Sequence, residues 1–521
     1  MTASAATPTA APERASDPGR RWLAGLLAAA LLALGAGLGL VGMSLGTAPR
    51  VVEANTPVNA GAADPLDITA HNSPTLVADP TDADRLVVVN RIDTPSFSCA
   101  LHTSTDAGQT WAASQIPFPA GEERPERCFA PDAAFAADGT LHVSFVTLAG
   151  RGNTPNAAWV ATSADADGGV SFGEPVQVTG PGAFQLRLAA DPAEPARLYL
   201  SWVHAGEVGP LGFPGTANPV RVARSDDAGA TWTDPVAVTD PHRRVLAPTS
   251  VVGDDGTVYT LYLDVGDDRL DYHGGHEGRG GPAYPGPWRL LLARSSDGGA
   301  TWTDTLVDDA LVPTGRVVAF FPPSPSLVVD GGRVYAGFHD ARAGDADVWV
   351  WTSHDAGATF ADPVRVPDLG AEDATDQYLP ALAVAPGGRL DVIYYDRRAD
   401  PANIMNEVSL QSSHDHGASF TPSVRLSDRA FDSRVGLGSE RDLPDLGSRL
   451  GLVATDRTAH AVWADTRTGT QASNKQDLAH ATAAMPATSP RRLLLGASVA
   501  LLLAGLALLA RTATSRRRPA P

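Results

Sequence analysis

A short pair of opposite charges recurs in this chain. Asp340-Ala-Arg342, Asp396-Arg-Arg398 and Asp465-Thr-Arg467 each set a carboxylate two residues ahead of a guanidinium, and Arg91-Ile-Asp93 repeats the pair in reverse order. A guanidinium fork binds a carboxylate through two parallel hydrogen bonds. The four arginines therefore support two readings. They converge on an anionic ligand, or they are structural ion pairs repeated because the underlying unit repeats. A further chemical candidate is the segment from Asp267 to Trp288, which contains His273, His276 and Glu277. These three side-chain types ligate metals, but no helix fixes their spacing and the surroundings are rich in glycine, so the segment reads as a lid. No metal and no cofactor are expected. The loop from Phe431 to Arg449, with Glu440 and Asp442, is a second candidate rim.

The elements that carry these residues are set by a second repeat. Ser-Thr-Asp106-Ala-Gly108-Gln-Thr-Trp111 returns around Asp167, Asp227, Asp297, Asp355 and Asp415, at spacings of 61, 60, 70, 58 and 60 residues. A fixed period of this size marks one supersecondary unit repeated around an axis or along a solenoid. Within the phrase, a carboxylate two residues before a glycine accepts backbone N–H groups in a tight turn, and the glycine supplies the positive φ. The copy around Asp167 departs from the rest, with Asp165 in place of the first serine.

Each unit reads as four short strands rich in β-branched and aromatic residues. The clearest is Pro325–Val329, Arg333–Phe338, Asp347–Trp351 and Pro363–Val366. Four antiparallel strands per unit is a propeller blade. First strands begin near Pro74, Pro131, Leu186, Pro248, Pro325, Pro380 and Leu450, which predicts an all-β, seven-bladed β-propeller, with six blades as the alternative. The seventh unit stops before its turn and lacks a fourth strand. Residues 66–70 have the right character to supply it and to remove the open edge.

With 59 acidic against 40 basic residues and a net charge of −19, the chain is a poor partner for nucleic acid. Two apolar stretches, 22–46 and 493–510, are flanked by arginines and are long enough to cross a membrane as helices. Arg20 and Arg21 before the first and Arg516, Arg517 and Arg518 after the second put both termini in the cytoplasm. The expected order is a cytoplasmic tail (1–21), a signal-anchor or signal peptide (22–46), a linker (47–65), an extracellular propeller (66–482), a second linker (483–492), a membrane anchor (493–510) and a basic cytoplasmic tail (511–521). Cys99 and Cys128 both fall in the exported region, where two cysteines are read first as a disulfide.

The recurring phrase resembles the Asp-box, or bacterial neuraminidase repeat, and over residues 66–482 the chain is similar to the sialidase superfamily of propellers. That resemblance implies Asp-boxes between third and fourth strands, with the functional face at the other end. It also implies three arginines, a tyrosine nucleophile with a glutamate neighbour, and an aspartate acid/base. Arg91, in Asn90-Arg91-Ile92-Asp93, matches the Arg-Ile of the family's F-R-I-P but lacks its aromatic and its proline. Arg342, Arg398 and Arg467 stand for the remaining ligand-binding arginines. Tyr378 stands for the nucleophile, Glu372 or Glu440 for its partner, and Asp93 or Asp132 for the acid. Sialidases usually have six blades, and seven loosens the link to catalytic members. The expected function is a cell-surface, monomeric propeller that recognises glycans with anionic terminal sugars, with hydrolysis as an extension of that reading. The alternative is a non-catalytic protein- or glycan-binding scaffold on the bacterial envelope.

Overall fold

The short β-branched runs become seven antiparallel sheets, six of them with their strands in sequence order from inside to outside and the seventh completed by an N-terminal strand. In the computed structural model, residues 18–44, 49–52, 54–59, 68–121, 127–150, 153–164, 170–205, 217–268, 284–314, 323–370, 373–436, 446–486 and 488–514 are described. They divide into two compact units, Pro49–Met485 and the two terminal segments.

In blade five the strands are Ser326–Asp330, Arg333–Asp340, Asp347–Ser353 and Val364–Arg365. The other first strands are His71–Asp79, Cys128–Phe135, Ala183–Ala190, Val245–Val252, Gln377–Val384 and Gly451–Ala454. Successive first strands are neighbours, and that of blade seven meets that of blade one, so the ring closes. Both faces of each inner sheet are covered. Along Leu390–Asp396, Leu390, Val392 and Tyr394 pack towards Tyr335 and Val348 of blade five, while Ile393 and Tyr395 pack towards Ala461 and Trp463 of blade seven. Burial on two sides is why these strands read as continuous apolar runs rather than alternating ones.

Pro325 opens its strand as expected, whereas Pro74, Pro131, Pro248 and Pro380 lie inside theirs. The register slips between Asn72 and Thr75, Phe129 and Asp132, Leu246 and Thr249, and Tyr378 and Ala381, and also between Phe184 and Arg187. At each slip one non-glycine residue is left-handed: Ser73, Ala130, Ala247, Leu379 and Gln185, with φ from 50° to 59°. These are β-bulges, and a bulge is where a strand tolerates proline.

Blade seven takes its fourth strand from upstream of the predicted segment. Arg50 and Val51 pair with Ala484 and Ala483, and Thr56 and Pro57 pair with His480 and Ala479. The stretch read as a linker therefore covers the edge of Asp477–Ala484. Of residues 66–70, Leu66 and Asp67 lie outside the described residues, and Ala70 makes only a parallel bridge to Gln476. By that point the chain has passed the blade-seven edge and is entering blade one. Cys99 and Cys128 form the expected disulfide.

The second unit is a pair of helices, α1 (Pro18–Ser44) and α2 (Thr488–Thr514). Each has a 19-residue span apolar enough to cross a membrane, Trp22–Leu40 and Leu494–Thr512. They pack antiparallel, with Gly35 and Gly39 against Ser498 and Gly505 against Leu32, and the Ser498 hydroxyl donates to the Gly35 carbonyl at 2.8 Å.

Candidate functional site

Because the strands alternate in direction, the connections sort to two ends of the ring. Third-to-fourth turns share one end, and second-to-third and fourth-to-first connections share the other. The aspartate turns occupy the first end. In blade five the Asp355 carboxylate accepts from Ser353 Oγ at 2.8 Å, Thr359 N at 2.8 Å and Thr359 Oγ1 at 2.6 Å, while Gly357 N donates to Ser353 Oγ. These bonds, the Thr359 hydroxyl first, hold the Asp355 carboxyl down to about 2. Asp106, Asp227, Asp297 and Asp415 repeat the pattern. Asp167 lies outside the described residues. The glycine of each turn also seats on the preceding blade: a Cβ on Gly108 would lie 2.2 Å from His480, one on Gly357 2.5 Å from Leu292, and one on Gly417 2.6 Å from Thr352. Blade seven has no such turn, and a cleft of about 660 Å³ lies there, lined by Asp84, Gln109, Arg457, His460 and His480 among others.

The repeated Asp-x-Arg pairs lie at the opposite end, and their geometry decides between the two readings. Arg342 binds Asp340 in its own blade at 2.7 Å and Asp308 in the fourth strand of blade four at 2.9 Å. Arg398 binds Asp396 at 2.5 Å and Asp368, just after the fourth strand of blade five, at 2.6 Å. Arg467 binds Asp465 at 2.5 Å and Asp428, just after the fourth strand of blade six. Each arginine thus closes a different seam with two carboxylates. The three do not gather at one point, and the reading of repeated structural ion pairs fits them.

The remaining sequence candidates are also engaged. Arg91 and Asp93 are both buried and paired through two contacts, at 2.5 and 2.8 Å, and Asn72 donates to the same carboxylate at 2.7 Å. Tyr378 is fully buried. Its hydroxyl donates to Asn406 Oδ1 at 3.1 Å and accepts from Arg397 at 3.3 Å. Burial pushes the phenol up against the lowering pull of Arg397, the reverse of what a nucleophile needs. Glu372, Glu440, Asp442, His273, His276 and Glu277 lie outside the described residues. The base of the 267–288 insertion is tied by Trp288 Nε1 to Asp268 at 3.0 Å. Among the described residues no three His, Cys, Asp or Glu side chains gather as a metal would require.

Two arginines that the sequence reading missed stand near the ring axis at this end. Arg187, just past the blade-three bulge, donates to Ser324 Oγ at 2.5 Å and to the Leu186 carbonyl at 3.0 Å. Arg449, just before the first strand of blade seven, donates to the Pro131 carbonyl. Asp132 faces them while accepting from Thr75 Oγ1 at 2.7 Å and Leu188 N at 2.9 Å. Burial, then the charge of Arg187, pulls Arg449 down to about 9, against the pull of Asp132, and Arg91 adds to the lowering. Neither arginine has an acidic residue at i−2 or i+2, so no local motif announced them. Asp345, in the loop between the second and third strands of blade five, has its carboxyl raised to about 6 by burial and by Asp347, Asp376 and Asp373.

No family model matches the chain. A Paenibacillus xyloglucanase is 26% identical over 204 residues, which is 36% of this chain and 18% of the xyloglucanase, so the chain spans less than a fifth of that relative. Among solved structures, a Dyadobacter fermentans protein of unknown function superposes with TM-score 0.46 and 15% identity over 84% of this chain and 99% of its own. A Hadza microbial sialidase gives 0.41 and 14% over 77% and 74%, and a Penicillium chrysogenum α-L-arabinanase gives 0.39 and 12% over 70% and 95%. The ring of seven four-stranded blades, rather than these distant likenesses, makes the chain a seven-bladed β-propeller.

Proposed function

We propose that this protein is a membrane-anchored propeller that recognises carbohydrate at the end of the ring opposite its Asp-box turns, without hydrolysing a sialoside. The observation that carries this is the saturation of Arg342, Arg398 and Arg467 by two carboxylates each. A sialidase needs guanidinium forks free to take the sugar carboxylate, and a tyrosine that the anomeric carbon can reach. The burial of Tyr378 supports the same reading. An anionic terminal sugar is the favoured ligand class, because Arg187 and Arg449 outnumber Asp132 at the mouth of the ring. The helices α1 and α2 serve as anchors that keep the propeller outside the cell with both termini in the cytoplasm. On this reading the propeller recognises its ligand outside the cell, with a monomer as the expected state.

The test is a glycan array probed with the detergent-solubilised full chain, beside a fluorogenic sialoside assay on the wild type and Tyr378→Phe. Binding to sialylated or uronic-acid glycans, with no turnover by either protein, is the expected result. Turnover that disappears in Tyr378→Phe would reverse the conclusion in favour of an exo-glycosidase.

A further inference from the structure

The mouth of the ring carries more buried positive charge than its described carboxylates balance. Arg91 is neutralised by Asp93 through two contacts. Among the described residues that leaves Arg187 and Arg449 against Asp132, an excess of one positive charge. The three groups are close enough for their charges to act on one another, and Arg91 adds to the field at Arg449.

The two guanidinium groups are also linked through the backbone. Arg187 donates to Ser324 Oγ, Ser324 N donates to the Ser448 carbonyl at 3.1 Å, and Ser448 N donates to Ser73 Oγ at 3.0 Å. Segments from blades one, three, five and seven therefore meet across the axis. Arg449 itself spends one N–H on the Pro131 carbonyl, and its Nε–H is enclosed with no partner. An enclosed N–H of a charged group without an acceptor is costly, and an uncompensated buried charge more so. Such a group is retained when something supplies the acceptor.

We infer that the mouth of the ring binds a small monoanion, a halide or a carboxylate, between Arg187 and Arg449, with the Arg449 Nε–H as one donor. One negative charge matches the excess, whereas a phosphate or sulfate dianion would leave the site overcharged in a buried setting. The anion ties blades three and seven together across the axis, so binding stabilises the closed ring. This proposal shares its two arginines with the glycan reading, and a sugar carboxylate would enter by replacing the small anion. It does not require that any sugar binds.

The test uses the full chain in detergent, dialysed into gluconate and then titrated with chloride, bromide, acetate or sulfate at constant ionic strength, which removes general screening. The expected result is a rise in Tm that grows with the logarithm of anion concentration above Kd and reaches about 2 °C at roughly ten times Kd for chloride, bromide and acetate, with a smaller rise for sulfate. A response to halides and not to acetate identifies an inorganic site, and a stronger response to acetate identifies a carboxylate site. Arg449→Met and Arg187→Met lose the anion-dependent part of the shift. Should either variant fail to fold, crystals of the wild type grown in bromide decide the matter through an anomalous peak beside Arg449 Nε. A Tm indifferent to every anion, with no bromide peak there, overturns the proposal whatever the glycan array returns. A negative array with a halide-dependent Tm removes the sugar and leaves the anion site.

Discussion

The Arg398 guanidinium meets the buried Asp396 carboxylate at 2.5 Å and the more exposed Asp368 at 2.6 Å, so that one side chain joins blade six to blade five. Arg342 and Arg467 do the same at the adjacent seams. The aspartate turns lock the other end of the ring through their glycines. At the seams between blades four and five and between blades five and six, the neighbours are thus held at both ends, by charge at one and by close backbone approach at the other.

Removing the charge clamp should expose this asymmetry. Asp396 is fully buried and keeps only Ser409 Oγ and the Arg398 backbone N–H once the guanidinium is gone. Arg398→Met is expected to cost about 3 kcal/mol, the penalty of a buried carboxylate left unpaired. Asp368→Asn, at the exposed limb, should cost less than about 1 kcal/mol. Chemical denaturation of the two variants checks the ranking, and equal losses would contradict it.

Gly108→Ala tests the other lock. Gly108 has φ 87°, and an added Cβ would lie 2.2 Å from the His480 ring. The expected loss is about 3 kcal/mol, from left-handed strain and overpacking together. In a His480→Ala background the same substitution should cost only about 1 kcal/mol, because the strain remains and the clash does not. A double-mutant cycle reads the difference.

Acid should weaken the fold through its buried histidines. Burial lowers His339 to about 3 and His480 to about 3, the latter helped by His460, and burial lowers His460 to about 4, all from an ordinary value of 6.5. These histidines stay neutral in the native state while the unfolded chain takes up protons below pH 6.5. Their contribution is complete above that pH and is lost as pH falls towards 4, at about 1.4 kcal/mol per pH unit for each group. Denaturation at pH 7.5, 6 and 5 should show this slope, and His339→Asn should reduce it by about one proton.

Tyr378→Phe removes a hydroxyl bonded to Asn406 and Arg397, and a loss of about 1 kcal/mol is expected. Thermal melting reads it. If Tyr378 were a nucleophile, the substitution would instead leave stability nearly unchanged and abolish turnover.

Much of this was legible in the sequence for a definite reason. A turn such as Ser353–Phe360 is stabilised by atoms within a few residues of Asp355, and its recurrence every 58 to 70 residues gives the length of a blade. The absence of a seventh turn pointed to closure by an upstream strand. The segment was misjudged because residues 50–57 carry little β signal, and their pairing depends on the edge of Asp477–Ala484. The function of the arginines lay beyond local pattern. The sequence shows the aspartate two residues before Arg342, Arg398 or Arg467, but the second carboxylate comes from the preceding blade, 34, 30 and 39 residues away. Only the ring brings it into reach and consumes the charge. The same closure brings Arg187 and Arg449 together, because charge balance in a buried mouth is a property of the assembled blades and not of any one of them.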